Sequence, residues 1–240
     1  MDHSEKSLSK LITEIGPWFL GTAYVEKTLE LPGEEQLVIN LRGLDCTTYV
    51  ETVLSLALQA KTGNLTFKDF EKNLEWIRYA DGKRNGYPSR LHYFSDWIFQ
   101  NQEKGLLKDI TSEIGGIPYA NQPSFMSQNP QYYPQLSNPE YVKAIQDTEA
   151  KIKMRTSYYI PKERIADMEK SILSGDLIAI TSSLPNLDIA HVGFAVVKNG
   201  RIHLLHASSQ SKKVEITERP LIEYLQNIKS QSGIMVSRFK

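Results

Sequence analysis

Cysteine occurs once in this chain of 240 residues, so neither an internal disulfide nor a cysteine-based zinc cage is available. An excess of either charge is also missing. Twenty-eight Lys and Arg stand against 28 Asp and Glu, a formal net charge of zero. A neutral chain has no electrostatic footprint for DNA, RNA or an anionic bilayer, and nucleic acid is not an expected partner. Long hydrophobic runs are absent: residues 53–60 make the best one, far short of the ~20 residues that span a bilayer. The opening MDHSEKSLSK is polar and mixed in charge, without the apolar core of an export signal. The chain is therefore expected to be cytoplasmic, or exported with its signal peptide already removed. What is present is apolar material, 40% of the chain, enough for one sizeable core. A single domain over residues 1–240 is the expectation, with 80–160 as an insertion or cap within it.

Helical patterns come first along the chain. Leu8, Leu11, Ile12 and Ile15 form an i, i+3, i+4, i+7 stripe that Gly16-Pro17 ends. After Gly43-Leu44-Asp45-Cys46, the residues Val50, Val53, Leu54, Ala57 and Leu58 predict a helix apolar over most of its surface, the buried central helix. Further helices are expected near 67–79, 90–103 and 139–154. Residues 115–160 hold five of the 11 prolines and six of the 12 tyrosines. This reads as an ordered, irregular segment over a binding cleft, or as a surface loop packing its own aromatics. Strands dominate the last third, at 177–181, 189–198, 201–207, 214–217 and 234–239, with one helix at 219–229. Helices first and strands later predict an α+β fold with an antiparallel C-terminal sheet or half-barrel.

The single cysteine sits where chemistry is possible. Asp45 is a good N-cap, which puts Cys46 in the first helical turn. Unpaired amides and the helix dipole there favour a thiolate and can receive an oxyanion. A buried, inert cysteine is the competing reading. Downstream, Lys198-Asn199-Gly200-Arg201 predicts a two-residue type I′ hairpin turn. Pairing Lys198 with Arg201 sets His206 opposite Gly193 and Ser208 opposite His191, so both histidines share one face. Gly193 leaves the space between them open, and His203 points to the opposite face. A cysteine nucleophile needs a base, and the base needs an orienting group; His191 and His206 suit those roles. Zinc held by Asp188, His191 and His206 is a rival. Asp188 lies three residues before His191, an odd offset that turns it to the other face of a strand.

These strings, in order, resemble a known pattern. Gly43-Leu44-Asp45-Cys46-Thr47-Thr48-Tyr49-Val50, Ser174-Gly175-Asp176-Leu177, Ala190-His191-Val192-Gly193-Phe194 and Leu204-Leu205-His206-Ala207-Ser208 resemble the NlpC-type papain-like cysteine amidases and peptidases of bacterial cell walls. The resemblance implies Cys46 as nucleophile, His191 as base and His206 as orienter, with no metal and no cofactor. Gly21-Thr22-Ala23-Tyr24 resembles the string whose tyrosine faces the oxyanion. Thr47-Thr48 departs from the usual Ser-Gly. Tyr87-Pro88-Ser89-Arg90-Leu91-His92-Tyr93-Phe94-Ser95-Asp96-Trp97, with Asp188 shortly before the base, is similar to the N-acetylmuramoyl-L-alanine amidase-like branch. That likeness implies a papain-like fold, a muropeptide partner, and cleavage between N-acetylmuramic acid and L-Ala in the bacterial periplasm or envelope, by a protein expected to be monomeric.

The insertion suits a sugar-bearing ligand, which takes aromatic faces and a few placed polar groups. Tyr119, Phe125, Tyr132 and Tyr133 supply the first, and Asn121, Gln122 and Gln128 the second. Arg90 is expected to clamp a stem-peptide carboxylate, with His92, Asp188 and Tyr132 as further substrate contacts. Tyr93 and Trp97, four residues apart, read as core. Two alternatives stay open: a D,L-endopeptidase cutting within the stem peptide, and a non-catalytic wall-binding module.

Overall fold

A computed structural model describes residues 5–120 and 122–240. Eight α-helices are described: α1 (Leu8–Ile15), α2 (Cys46–Thr62), α3 (Phe67–Arg78), α4 (Phe94–Glu103), α5 (Phe125–Gln128), α6 (Pro139–Lys153), α7 (Ile165–Met168) and α8 (Leu221–Gln226). Ten strands join one sheet: β1 (Ala23–Tyr24), β2 (Gly43–Leu44), β3 (Leu107–Asp109), β4 (Ile117–Tyr119), β5 (Ser157–Pro161), β6 (Leu177–Ser182), β7 (Ile189–Lys198), β8 (Arg201–Ser208), β9 (Lys213–Ile216) and β10 (Gln231–Phe239). The order is β2-β1-β9-β8-β7-β6-β10-β5-β4, with β3 also on β10. Every pairing is antiparallel except β1 with β2. The chain is thus α+β with a large, mostly antiparallel sheet.

The central strands are apolar on both faces because both are covered. Leu177, Ala179, Phe194 and Leu205 pack with α1, α2 and α4 in the main core. Ile178, Ile180, Ala195 and Leu204 pack with Ile165 of α7 and Leu221 and Leu225 of α8 on the other side. Period-two alternation partitions residues between these two layers. Asp176, fully buried, takes a forked pair of hydrogen bonds from Arg238 (2.9 and 2.7 Å), tying the start of β6 to β10.

The 80–160 segment divides more finely than expected. Phe94, Trp97 and Ile98 of α4 belong to the main core, and β3 and β4 extend the sheet. A separate small cluster of Tyr87, Tyr93, Met126, Leu136, Ile145 and Ile152 makes up the cap. The Tyr93 hydroxyl stitches it together, donating to Glu149 (2.7 Å) and accepting from the Met126 N–H (2.9 Å).

One buried ion pair holds helix to helix. Glu51 of α2 receives Arg78 Nε from α3 at 2.7 Å and the Trp97 indole N–H from α4 at 3.2 Å. Both charged side chains are almost fully buried. Removing one partner strands the other charge, so Arg78→Met should cost about 3–5 kcal/mol in urea unfolding. Adding Glu51→Gln to that variant should recover part of the loss.

Candidate active site

Asp45 caps α2 through a reciprocal box. Its carboxylate accepts from the Thr48 N–H (2.8 Å) and the Thr48 hydroxyl accepts from the Asp45 N–H (2.9 Å). Such a cap is worth about 1 kcal/mol and fixes Cys46 as the first helical residue. The Thr47-Thr48 departure thus has a structural role at its second position.

The hairpin register is as the turn predicts. Lys198 pairs with Arg201, and the pairing runs back to Phe194 with Leu205. Asn199 (φ 53°) and Gly200 (φ 74°) both take the positive φ of a type I′ turn. His191 and His206 meet edge to face, with ring centroids 4.8 Å apart and Nε2 2.6 Å from Nδ1. Gly193 is required at this point: a Cβ there would lie 2.9 Å from the His206 Cβ and 2.8 Å from the Leu205 oxygen. His203 turns away and donates from Nδ1 to the Thr217 oxygen at 2.7 Å.

Cys46 and His191 line one cavity of about 130 Å³ with Thr47, His92, Phe94, Phe125, Tyr133 and Asp188. A neighbouring cavity of about 310 Å³ shares Thr47, His92, Met126 and Tyr133, and adds Glu30, Arg90 and Tyr132. The half-buried Cys46 thus opens into the first of two neighbouring chambers that share lining residues of the cap. Tyr132 is 58% exposed and stacks on Phe125 (centroids 6.2 Å apart), giving the mouth an aromatic wall.

Electrostatics correct one expectation. The helix terminus alone predicted a thiolate at Cys46. Burial, with Asp45 next to it, instead pushes the thiol up to about 12, against hydrogen bonds from Val192 and Thr47 that pull it down. Burial pushes His191 down to about 4, and burial with His191 alongside pushes His206 down to about 3. The resting site is a neutral thiol facing a neutral imidazole pair. Desolvation outweighs the dipole because the sulfur and both rings are held against apolar protein.

Other expected residues fall in varied places. Arg90 is not an open clamp: its guanidinium is buried, hydrogen-bonded to Glu30 (2.8 Å) and ion-paired with Glu35 (3.2 Å), carboxylates of the protein itself. It lines the second chamber. His92 donates from Nε2 to the Tyr87 oxygen (2.9 Å), and burial drives its pKa well down, so it faces the chambers neutral. Asp188 lies under the cavity with its carboxylate on the Ser95 N–H (2.9 Å) and its pKa raised by burial. Tyr24 pairs in β1 with Leu44, two residues before Cys46, with its phenol raised chiefly by burial. It is not among the residues lining the cavity.

Of the insertion, Phe125 and Tyr133 reach the cavity with Cys46, and Gln122 lines a separate one. The Tyr119 hydroxyl instead donates to the Ser182 and Asp188 oxygens (2.8 Å each). Gln128 accepts from Asn186 (2.9 Å). Asn121 lies outside the described residues. Among the described residues, no three His, Cys, Asp or Glu side chains gather to hold a metal ion. Sequence reasoning missed the Glu30–Arg90–Glu35 bridge because residues 25–42 carry no periodicity from which a fold could be read.

The α+β fold thus sets a cysteine at a helix start in one cavity with the first of two imidazoles in contact on a β-ribbon. The chain belongs to the AmiA-like family, described as N-acetylmuramoyl-L-alanine amidase-like, whose model matches residues 14–234. It is similar to a crystal structure of an N-acetylmuramoyl-L-alanine amidase from Bacteroides uniformis, at 40% identity and TM-score 0.92, over 97% of this chain and 99% of that one. A Bacteroides fragilis structure provisionally named a xylanase matches at 40% identity and TM-score 0.89, over 94% and 100%. The Legionella pneumophila protein LPG0564 matches at 30% and 0.73, over 98% and 89%. No curated protein matches the chain.

The pKa directions set the acid response. A histidine whose folded pKa lies below its unfolded value of 6.5 contributes stability that is full above 6.5. That contribution is lost as pH falls toward the folded value, because only the unfolded chain takes up the proton. Between pH 6.5 and about 4, unfolding free energy should therefore drop by up to about 1.4 kcal/mol per pH unit for each such group. Denaturant titrations should show the slope, and His191→Asn with His206→Asn should flatten it.

Proposed function

We propose that the chain is a cell-wall amidase that hydrolyses the amide between N-acetylmuramic acid and L-Ala of peptidoglycan fragments, by a Cys-His-His mechanism on a papain-like fold. The observation that carries this reading is the pairing of His206 with His191, which lines the cavity with Cys46. The family and the B. uniformis neighbour supply the bond class. The whole chain acts as one catalytic unit capped by the aromatic cluster, at the cell envelope where its substrate lies.

In this mechanism His191 removes the Cys46 thiol proton as sulfur attacks the amide carbonyl carbon. The N–H groups at the start of α2 hold the resulting oxyanion, with Tyr24 beside them. Collapse of the intermediate breaks the C–N bond, and the leaving L-Ala nitrogen takes the proton from His191. His191 then deprotonates water, which attacks the thioester, freeing the lactyl carboxylate and returning the proton to sulfur. Starting from a neutral pair suits this sequence: the base is unprotonated across neutral pH, and charge appears only when substrate has sealed the cavity. Sugar and peptide occupy the two neighbouring chambers, with Tyr132, His92 and Asp188 as substrate contacts.

A glycosidase would need two carboxylates facing one another across the bond. Among the described residues, Asp188 is the one carboxylate lining the cavity with Cys46 and is engaged by the Ser95 N–H, while in the second chamber Glu30 is paired with Arg90, Glu51 with Arg78, and Asp45 caps α2.

Cys46→Ala should lower release of free stem peptide from muropeptides by at least about a thousandfold while leaving the melting temperature within a few degrees. Mass spectrometry of the products decides the bond: a bare disaccharide marks the amidase, and a sugar retaining L-Ala and D-Glu marks a D,L-endopeptidase.

A further inference from the structure

His206 is fully buried, and among the described residues its Nε2 has no hydrogen-bond partner. A buried polar atom without a partner costs about 1–3 kcal/mol, and one at the far end of a candidate catalytic pair needs a reason. The β8–β9 register sets Glu215 directly opposite His206, and its Oε1 stands 3.9 Å from that Nε2. Glu215 is 28% exposed along its side chain and makes no other hydrogen bond or ion pair among the described residues. A shift of about 1 Å closes the gap to hydrogen-bond length.

We infer that Glu215 is a positioning residue that sets the tautomers of the His206–His191 chain and so makes His191 Nδ1 the base. This rests on the proposed cysteine mechanism and extends it by one member.

A single proton lies between His191 Nε2 and His206 Nδ1. If His206 donates it, His206 Nε2 is bare and faces a carboxylate, lone pair against lone pair. His191 then carries its other proton on Nδ1 and cannot accept one from the thiol. If His191 donates it, His206 carries its proton on Nε2, aimed at Glu215, and His191 Nδ1 is bare. Of the two arrangements, only the second gives the carboxylate a donor and the cysteine a base. When His191 becomes an imidazolium during turnover, the same carboxylate stabilises the charge through His206, as the acidic member of a Ser-His-Asp triad does. The other titratable groups in contact with His206 are His191 from β7 and Tyr224 from α8, whose ring lies 5.6 Å away. Neither of these is an anion in the resting state, which leaves Glu215 as the negative group.

The test compares Glu215→Gln and Glu215→Leu with the parent protein. Nitrogen NMR of the histidine side chains reads the tautomers without any substrate: His206 should carry its proton on Nε2 and His191 should be bare at Nδ1. The opposite assignment in the parent protein overturns the inference. With a muropeptide substrate, Glu215→Leu should lower kcat by about tenfold or more with KM little changed. Glu215→Gln, which still accepts from Nε2–H, should restore most of that loss. Removing the carboxylate also makes His191 harder to protonate, so the acid limb of kcat/KM should move to lower pH in both variants. A merely structural glutamate would alter the melting temperature without moving that limb. Parent-like kcat and an unmoved limb in Glu215→Leu sink the proposal. If the parent releases no stem peptide at all, it is the amidase reading that fails, and the NMR comparison still decides the tautomers.

Discussion

The hydrogen bond between His191 and His206 is the constraint on which the rest of the site depends, and a turn seven residues away sets it. Asn199 and Gly200 accept positive φ, the two-residue turn locks Lys198 to Arg201, and the ladder then has no freedom to slip. A one-residue slip would turn one ring to the opposite face. Gly193 completes the arrangement, since any side chain there would occupy the space between the strands that brings the imidazoles together. The pairing costs something in return. Two rings are buried against apolar neighbours and held neutral far below their ordinary range, so the fold carries part of its acid sensitivity inside its candidate catalytic apparatus.

Legibility in the sequence followed the range of the interactions. The α2 start could be read from Asp45, because an N-cap acts within three residues. The ribbon and its shared histidine face could be read because a tight turn fixes register by counting. The predicted strand 189–198 coincides with β7, and 201–207 falls one residue short of β8. Strands β3, β4 and β5 were not legible. They are three to five residues long, two contain proline, and they exist only because β10 and one another offer free ladder edges.

Charges were the least legible part. Arg90 read as a free cation because its partners, Glu30 and Glu35, come from an irregular segment some 55–60 residues earlier. The Cys46 thiolate expectation failed for a related reason. A dipole is a local property visible in a helix start, whereas desolvation depends on what the rest of the chain packs over the sulfur. Sequence therefore gives the position of an ionisable group well before it gives the group's charge state.

That distinction bears on how such a site can be both stable and reactive. A preformed thiolate–imidazolium pair would have to be paid for continuously by buried counter-charges, and the cavity holding Cys46 has none to spare: Asp188 is bonded to Ser95, and Arg90 in the second chamber is taken by two glutamates. Keeping the sulfur and both rings neutral lets the core close around them at little electrostatic cost. Reactivity then depends on proton position rather than standing charge. For that, the site needs rigid ring placement, which the hairpin supplies. It also needs a directional bias along the imidazole chain, and a partly exposed carboxylate at its far end can provide one without burying an ion.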